Sequence, residues 1–130
     1  MTNFLILGTT SKIYKLLITP NGEHLIKNYP IEVVLNKDII LNNSLAYDYA
    51  QHHLYTFLDK HITRFEVDSN KTQVLYYTNE TISDMIYDPL SHMLIYLTEK
   101  KKLKILSLLT SYEHIVSDNI TWFRYSAQHR

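Results

Sequence analysis

The sequence predicts an all-β chain of repeated antiparallel sheets, and three observations support the prediction. Ser44 to Val67 returns in altered form as Ser83 to Leu108: aligning Tyr47-Asp48 with Tyr87-Asp88 brings Leu54 onto Leu94, Asp59 onto Glu99 and Lys60 onto Lys100 at a spacing of 40. One residue of slip later, Ile62, Phe65 and Val67 meet Leu103, Leu106 and Leu108. Within each unit, short runs rich in β-branched and aromatic residues alternate with turn residues. No segment sustains a helical period. Units of about 40 residues that each read as several short strands are the signature of β-propeller blades, four-stranded sheets arranged around an axis. One such sheet cannot bury both its faces, so it needs neighbours.

In order along the chain, Phe4–Leu7 and Ile13–Ile18 read as two strands, and Thr19-Pro-Asn-Gly22 as the turn that follows. Glu23–Tyr29 reads as the third strand, closed by Pro30, which has no N–H to give a central ladder. Ile31–Leu41, with β-branched residues on both sides of Asn36-Lys-Asp38, reads as a hairpin or an insertion on the first unit. Strands are then expected at Ser44–Tyr49, Leu54–Leu58, Ile62–Val67 and Gln73–Thr78, and again at Asp84–Tyr87, Met93–Thr98, Leu103–Leu108 and Glu113–Val116. The units are therefore 1–43, 44–82 and 83–118, followed by a closing strand at 119–128, all in a single domain.

Tyr96-Leu-Thr-Glu99 resembles the Tyr-Trp-Thr-Asp signature of the six-bladed propellers in low-density-lipoprotein-receptor ectodomains, and Leu54-Tyr55-Thr-Phe-Leu-Asp59 is a looser version of it. In that family the motif lies on the second strand of each blade and the innermost strand ends in an aspartate, which Asp48 and Asp88 match. The resemblance implies structural roles for Tyr47, Asp48, Asp59, Tyr87, Asp88, Tyr96 and Glu99. Asp48 and Asp88 would join one blade to the next by accepting backbone or hydroxyl hydrogen bonds. The receptor function is not implied, because the motif tryptophan and the flanking cysteine-rich modules are missing.

The tail predicts how the ring closes. Asn119–Gln128 falls where the next innermost strand belongs, and Tyr125-Ser-Ala-Gln-His129 echoes Tyr49-Ala-Gln-His52. Phe4–Leu7, by contrast, reads as a second strand with no first. Three four-stranded blades curve too tightly to close on themselves, so the expectation is a six-bladed ring made by a head-to-tail homodimer with strand exchange. Ile120, Trp122, Phe123 and Tyr125 of one copy would complete the sheet that begins with Phe4, Leu5, Ile6 and Leu7 of the other.

Composition excludes several function classes. Thirteen basic and thirteen acidic residues cancel, so the basic excess that favours nucleic acid or an anionic membrane is missing. The absence of cysteine removes disulfide and thiolate chemistry and fits a reducing compartment. No basic n-region precedes the short apolar run at Phe4–Leu7, so an intracellular location is expected, and the four Asn-x-Ser/Thr sequons at Asn42, Asn70, Asn79 and Asn119 are read as incidental. Heavy use of Ile, Asn, Lys and Tyr points to an AT-rich genome, an insect DNA virus among the candidates.

No phosphate loop, nucleophile elbow or zinc-ligand pair is present, so neither a catalytic residue, a metal ligand nor a cofactor is assigned. His52 and His53 would point to opposite faces of a strand and fit a solvated turn better than a metal site. Lys100-Lys-Lys102 with Lys104 reads as a solvated basic turn, with a surface for an acidic partner as the alternative, and most of the repeating aromatics Tyr47, Tyr49, Tyr55, Tyr87, Tyr96, Trp122 and Tyr125 as core between blades. The expected function is a non-enzymatic scaffold that binds another protein. The alternative is a glycan or small-molecule binder, or a metal-dependent hydrolase, working at the mouth of the channel.

Overall fold

β-branched and aromatic residues at period two put alternate side chains on opposite faces of a pleated strand, and eleven such strands form among the described residues. They are β1 (Phe4–Gly8), β2 (Lys12–Leu17), β3 (Glu32–Asn36), β4 (Leu45–Asp48), β5 (His53–Leu58), β6 (His61–Glu66), β7 (Lys71–Tyr77), β8 (Ile82–Asp88), β9 (Met93–Thr98), β10 (Leu103–Ser107) and β11 (Glu113–Ser117). The computed structural model describes the backbone of β1, β2 and β3 and residues 44–126 other than 59 and 70. There is no helix among the described residues, hence none long and apolar enough to cross a membrane.

The chain divides into two compact units, 1–41 and 42–130. The first holds a three-stranded antiparallel sheet in the order β1-β2-β3. The second holds two four-stranded antiparallel sheets, β4-β5-β6-β7 and β8-β9-β10-β11, whose first strands β4 and β8 lie side by side. Their facing sides make one core. Ala46, Tyr55 and Ile62 come from one sheet, and Ile82, Met85, Leu94, Tyr96 and Leu106 from the other. Tyr55 stacks on Tyr87 of the neighbouring sheet with ring centroids 5.3 Å apart. Burying each of the large side chains stabilises the fold by about 1.5–3 kcal/mol, which makes this face the main cohesive element of the second unit.

The three sheets share one irregularity. Going along β2, the partner on β3 jumps from Leu35 to Val33 between Ile13 and Tyr14. Along β6 the partner on β7 jumps from Tyr76 to Val74 between Ile62 and Thr63, and along β10 the partner on β11 jumps from Ser117 to Ile115 between Leu103 and Lys104. Each outer strand thus holds one extra residue, Val34, Leu75 or Val116, at the same place: a β-bulge that bends the outer strand and increases its twist. The bulge makes β2, β6 and β10 equivalent, and with them β3, β7 and β11. The residue before the bulge pairs back to Gly8, Phe57 and Leu97, so β1, β5 and β9 are equivalent as well. The three-stranded sheet is therefore the second, third and fourth strand of the repeat.

Turns here run through left-handed residues that are not glycine. His52 and His92 (φ 56° and 52°) close the turn between first and second strands, and Lys60 and Lys101 (both φ 65°) close the next one. Only two glycines occur in the whole chain. At about 1–2 kcal/mol for a left-handed non-glycine residue, these positions are held by the ladders on either side.

The structure corrects the expected first unit. Its third strand is Glu32–Asn36, inside the segment taken for a hairpin or insertion. An unbroken apolar run suits an outer strand that kinks at a bulge, so the missing alternation was misleading. The expected strand at Glu23–Tyr29, the rest of the 31–41 segment and Asp59 lie outside the described residues. At the other end, residues 120–126 form no strand, and Ala127–Gln128 are outside the described residues. Met93–Thr98 is found as expected, and the remaining strands of the second unit lie within two residues of their expected ends.

Candidate functional site

The seam between successive repeats is built from an aspartate that closes a turn and a tyrosine that reaches it from the next repeat. Asp48 ends β4, and its Oδ1 accepts hydrogen bonds from the backbone N–H groups of Ala50 (3.0 Å) and Gln51 (3.4 Å). Asp88 ends β8 in the same way, accepting from the Leu90 N–H at 3.0 Å and the Ser91 hydroxyl at 2.6 Å. Short carboxylate side chains make this turn because they can bond their own backbone two residues on. The Tyr87 hydroxyl bonds the Asp48 carboxylate across the boundary between the two sheets, and also meets His92 Nδ1 at 3.0 Å. One repeat later the Tyr125 hydroxyl donates to Asp88 Oδ1 at 2.7 Å. Residues 120–126 pair with no strand, yet Tyr125 stands to Asp88 as Tyr87 stands to Asp48.

The electrostatics follow. Burial raises the Asp88 carboxyl pKa, but hydrogen bonds from Ser91, Tyr125 and the backbone outweigh it and hold the group below the usual aspartate value. Burial, then the charge of Asp48, keep Tyr87 protonated well above the usual phenol value. Tyr47, next to the same turn, is pushed up to about 12 by burial and then by Asp68. For Tyr125 the hydrogen bond to Asp88 is the leading cause of the rise. Tyr125 is a neutral donor and Asp88 a charged acceptor, which makes their bond charge-assisted.

A second polar cluster lies within the seam. Lys104, almost fully buried, places Nζ 3.5 Å from Glu80 Oε2 and 3.3 Å from Glu113 Oε1. Lys102 adds a pair to Glu80 at 3.3 Å, and the Tyr96 hydroxyl donates to Glu113 Oε2. Desolvation raises the Glu80 pKa, while a Thr98 hydrogen bond and the two lysines lower it further, for a net depression. Lys104 is thus a buried counter-ion and not part of a solvated basic turn. Cross-strand pairing with Tyr96 already placed it on the buried face, a signal hidden by the charged run around it.

The other expected residues separate. Tyr96 is fully buried in the core, whereas Glu99 is an exposed turn residue whose N–H bonds the Thr81 carbonyl. Tyr49, Trp122 and Tyr125, expected in the core, are exposed, because they sit at a turn and on the tail and not on the pleat. Arg124 stands 5.4 Å over the Trp122 ring. Ile120 and Phe123 are half-buried, and the Ile120 N–H bonds the Lys101 carbonyl. His52 pairs with Asp68 at 3.0 Å, and His53 begins β5, so the two histidines do not converge. Among the described residues no group of three or more His, Asp or Glu side chains could hold a metal ion.

The hydrogen bond of Tyr125 also corrects the alignment of the tail. Tyr125 is equivalent to Tyr47 and Tyr87, not to Tyr49, and Ser126 takes the place of Asp48 and Asp88. The Ala-Gln-His string shared with 50–52 drew the sequence alignment two residues out of register.

On its side away from β4–β7, the last sheet presents a row of half-buried isoleucines, Ile86, Ile95 and Ile105, directly opposed across β8, β9 and β10. Tyr112, Ile115 and Val116 are exposed along its outer strand.

No family model and no curated protein matches the sequence. Among solved structures, a chain of the nidogen/laminin complex is similar in fold, with a TM-score of 0.72 at 15 % identity. The likeness covers 89 % of this chain and 44 % of that one, so the present chain spans less than half the length of the protein it matches. The fold is β-propeller-like and all-β.

Proposed function

We propose that the chain is a non-enzymatic protein–protein interaction scaffold that works as a homodimer, each copy supplying half of a six-bladed ring. The observation behind it is the complementary pair at the seam. The β1–β3 sheet holds strands two to four of the repeat, and residues 120–126 stand in the place of a first strand, held by Tyr125 on Asp88. The tail of each copy would lend that strand to the first sheet of the other, covering two edges that would otherwise invite uncontrolled pairing. The nidogen/laminin structure is a complex of two different proteins, which supports a protein-binding role. So do the exposed Tyr112, Ile115 and Val116, apolar groups on an outer strand of the kind that marks contact surfaces.

Light scattering on a size-exclusion column tests this at micromolar concentration. The intact chain is expected at twice 15.4 kDa, and a chain ending at Ser117 as a monomer or an aggregate. Two stable monomers would reject the scaffold as drawn.

A further inference from the structure

Resting on the homodimer reading above, the equivalences among the sheets point to the register of the exchange. We infer that Tyr125 of one copy pairs directly opposite Leu5 of the other, antiparallel, with Arg124 opposite Ile6 and Phe123 opposite Leu7. The occupant of the β1 edge is thus the Phe123–Tyr125 segment of a second copy of this chain.

Two independent alignments meet in this pairing. The first runs through the bulge. Ile13, Ile62 and Leu103 precede it, and their partners on the second strand are Gly8, Phe57 and Leu97. Counting back three residues on each strand makes Leu5, Leu54 and Leu94 equivalent. The second runs through the seam, where Tyr87 and Tyr125 each bond the aspartate of the preceding repeat. In both complete sheets the tyrosine of the first strand opposes the leucine of the second: Tyr47 opposes Leu54, and Tyr87 opposes Leu94. The residue before it follows suit, Ala46 opposing Tyr55 and Ile86 opposing Ile95. Carried onto the incomplete sheet, the rule puts Tyr125 opposite Leu5.

Register matters physically because the side-chain period is two. A slip of one residue would turn every tail side chain to the other face, pulling Tyr125 away from Asp88. The Tyr125 bond, formed within each copy, therefore sets the tail in register before the second copy arrives.

The chain has no cysteine, so paired cysteine substitutions give a clean readout. Directly opposed Cβ atoms approach within disulfide range, whereas Cβ atoms one residue out of register point to opposite faces of the sheet and cannot be bridged without backbone movement. Full-length variants carrying Phe123→Cys with Leu7→Cys, or Arg124→Cys with Ile6→Cys, are oxidised and compared with the slipped pairs Phe123→Cys with Ile6→Cys and Phe123→Cys with Gly8→Cys. Each variant is also weighed by light scattering under reducing conditions. At least one registered pair is expected to give a covalent dimer at ten or more times the yield of either slipped pair. Reduced dimers that cross-link best at a slipped pair, or at none, would overturn the register while leaving the homodimer standing. Reduced variants and parent that are all monomeric would overturn the homodimer, and the register with it.

Discussion

Replacing Lys104 with methionine is expected to destabilise the fold by about 3–5 kcal/mol at pH 7, measured by urea unfolding. Methionine keeps most of the apolar stem, so what is lost is the ammonium between Glu80 and Glu113. Removing one partner of a buried ion pair leaves the other charge uncompensated at roughly that cost, and here two carboxylates are left, with only the more exposed Lys102 beside Glu80. Tyr96, which donates to Glu113, sits in the middle of the core, so the strain falls on the contact between the two sheets.

The pH dependence identifies the mechanism. The Glu80 pKa is depressed below its ordinary 4.5 in the folded chain. The stability it contributes is present above that value and is lost as pH falls through the lower folded-state value. In Lys104→Met the depression by Lys104 is gone, so acid protonates the strained Glu80 carboxylate and relieves it. The penalty should be largest at neutral pH and shrink below about pH 4.5. A penalty that stays constant down to pH 3 would mean that the stem's packing, and not the charge, is what Lys104 supplies.

Leu94→Ala should cost about 3 kcal/mol, within the 2–5 kcal/mol range for deleting a buried leucine. Leu94 is fully buried among residues from both sheets of the second unit. Its neighbour Ile95 points to the opposite face and is half-buried, so Ile95→Ala should cost no more than about 1.5 kcal/mol in the unfolding of the separated chain. Calorimetry or urea titration of the two variants side by side checks the assignment of faces. Equal losses would mean that the two faces of this sheet are covered alike.

How much of this could be read in advance varies with the residue. The period of 40 and the Tyr-Asp pairs at 47–48 and 87–88 are legible because the same turn recurs, an aspartate Oδ1 accepting from the backbone N–H two residues on. The slip of one residue that brings Ile62 onto Leu103 is legible too, and the bulge places those two residues as equivalents. The bulge itself is not, since Val34, Leu75 and Val116 look like ordinary members of apolar runs and their extra step shows only in the backbone pairing. For the same reason Glu32–Asn36 did not read as the outer strand of the first sheet. Lys104 was obscured by its neighbours: in a run of four lysines over five residues, only the pleat distinguishes the one that faces Tyr96. On the tail, local identity misled where chemistry would have guided. The Ala-Gln-His string suggested one register, and a tyrosine within reach of the aspartate that ends β8 set another.

In the proposed homodimer the tail of one copy completes the first sheet of a second. Backbone hydrogen exchange measured across a dilution series tests it most directly, since pairing protects both strands at once. As concentration rises through dimerisation, the amides of Phe4–Gly8 and of Trp122–Ser126 should slow together, while those of β5 and β9 keep a constant rate. Tail amides whose exchange is indifferent to concentration, whether fast or slow throughout, would contradict the exchange between copies.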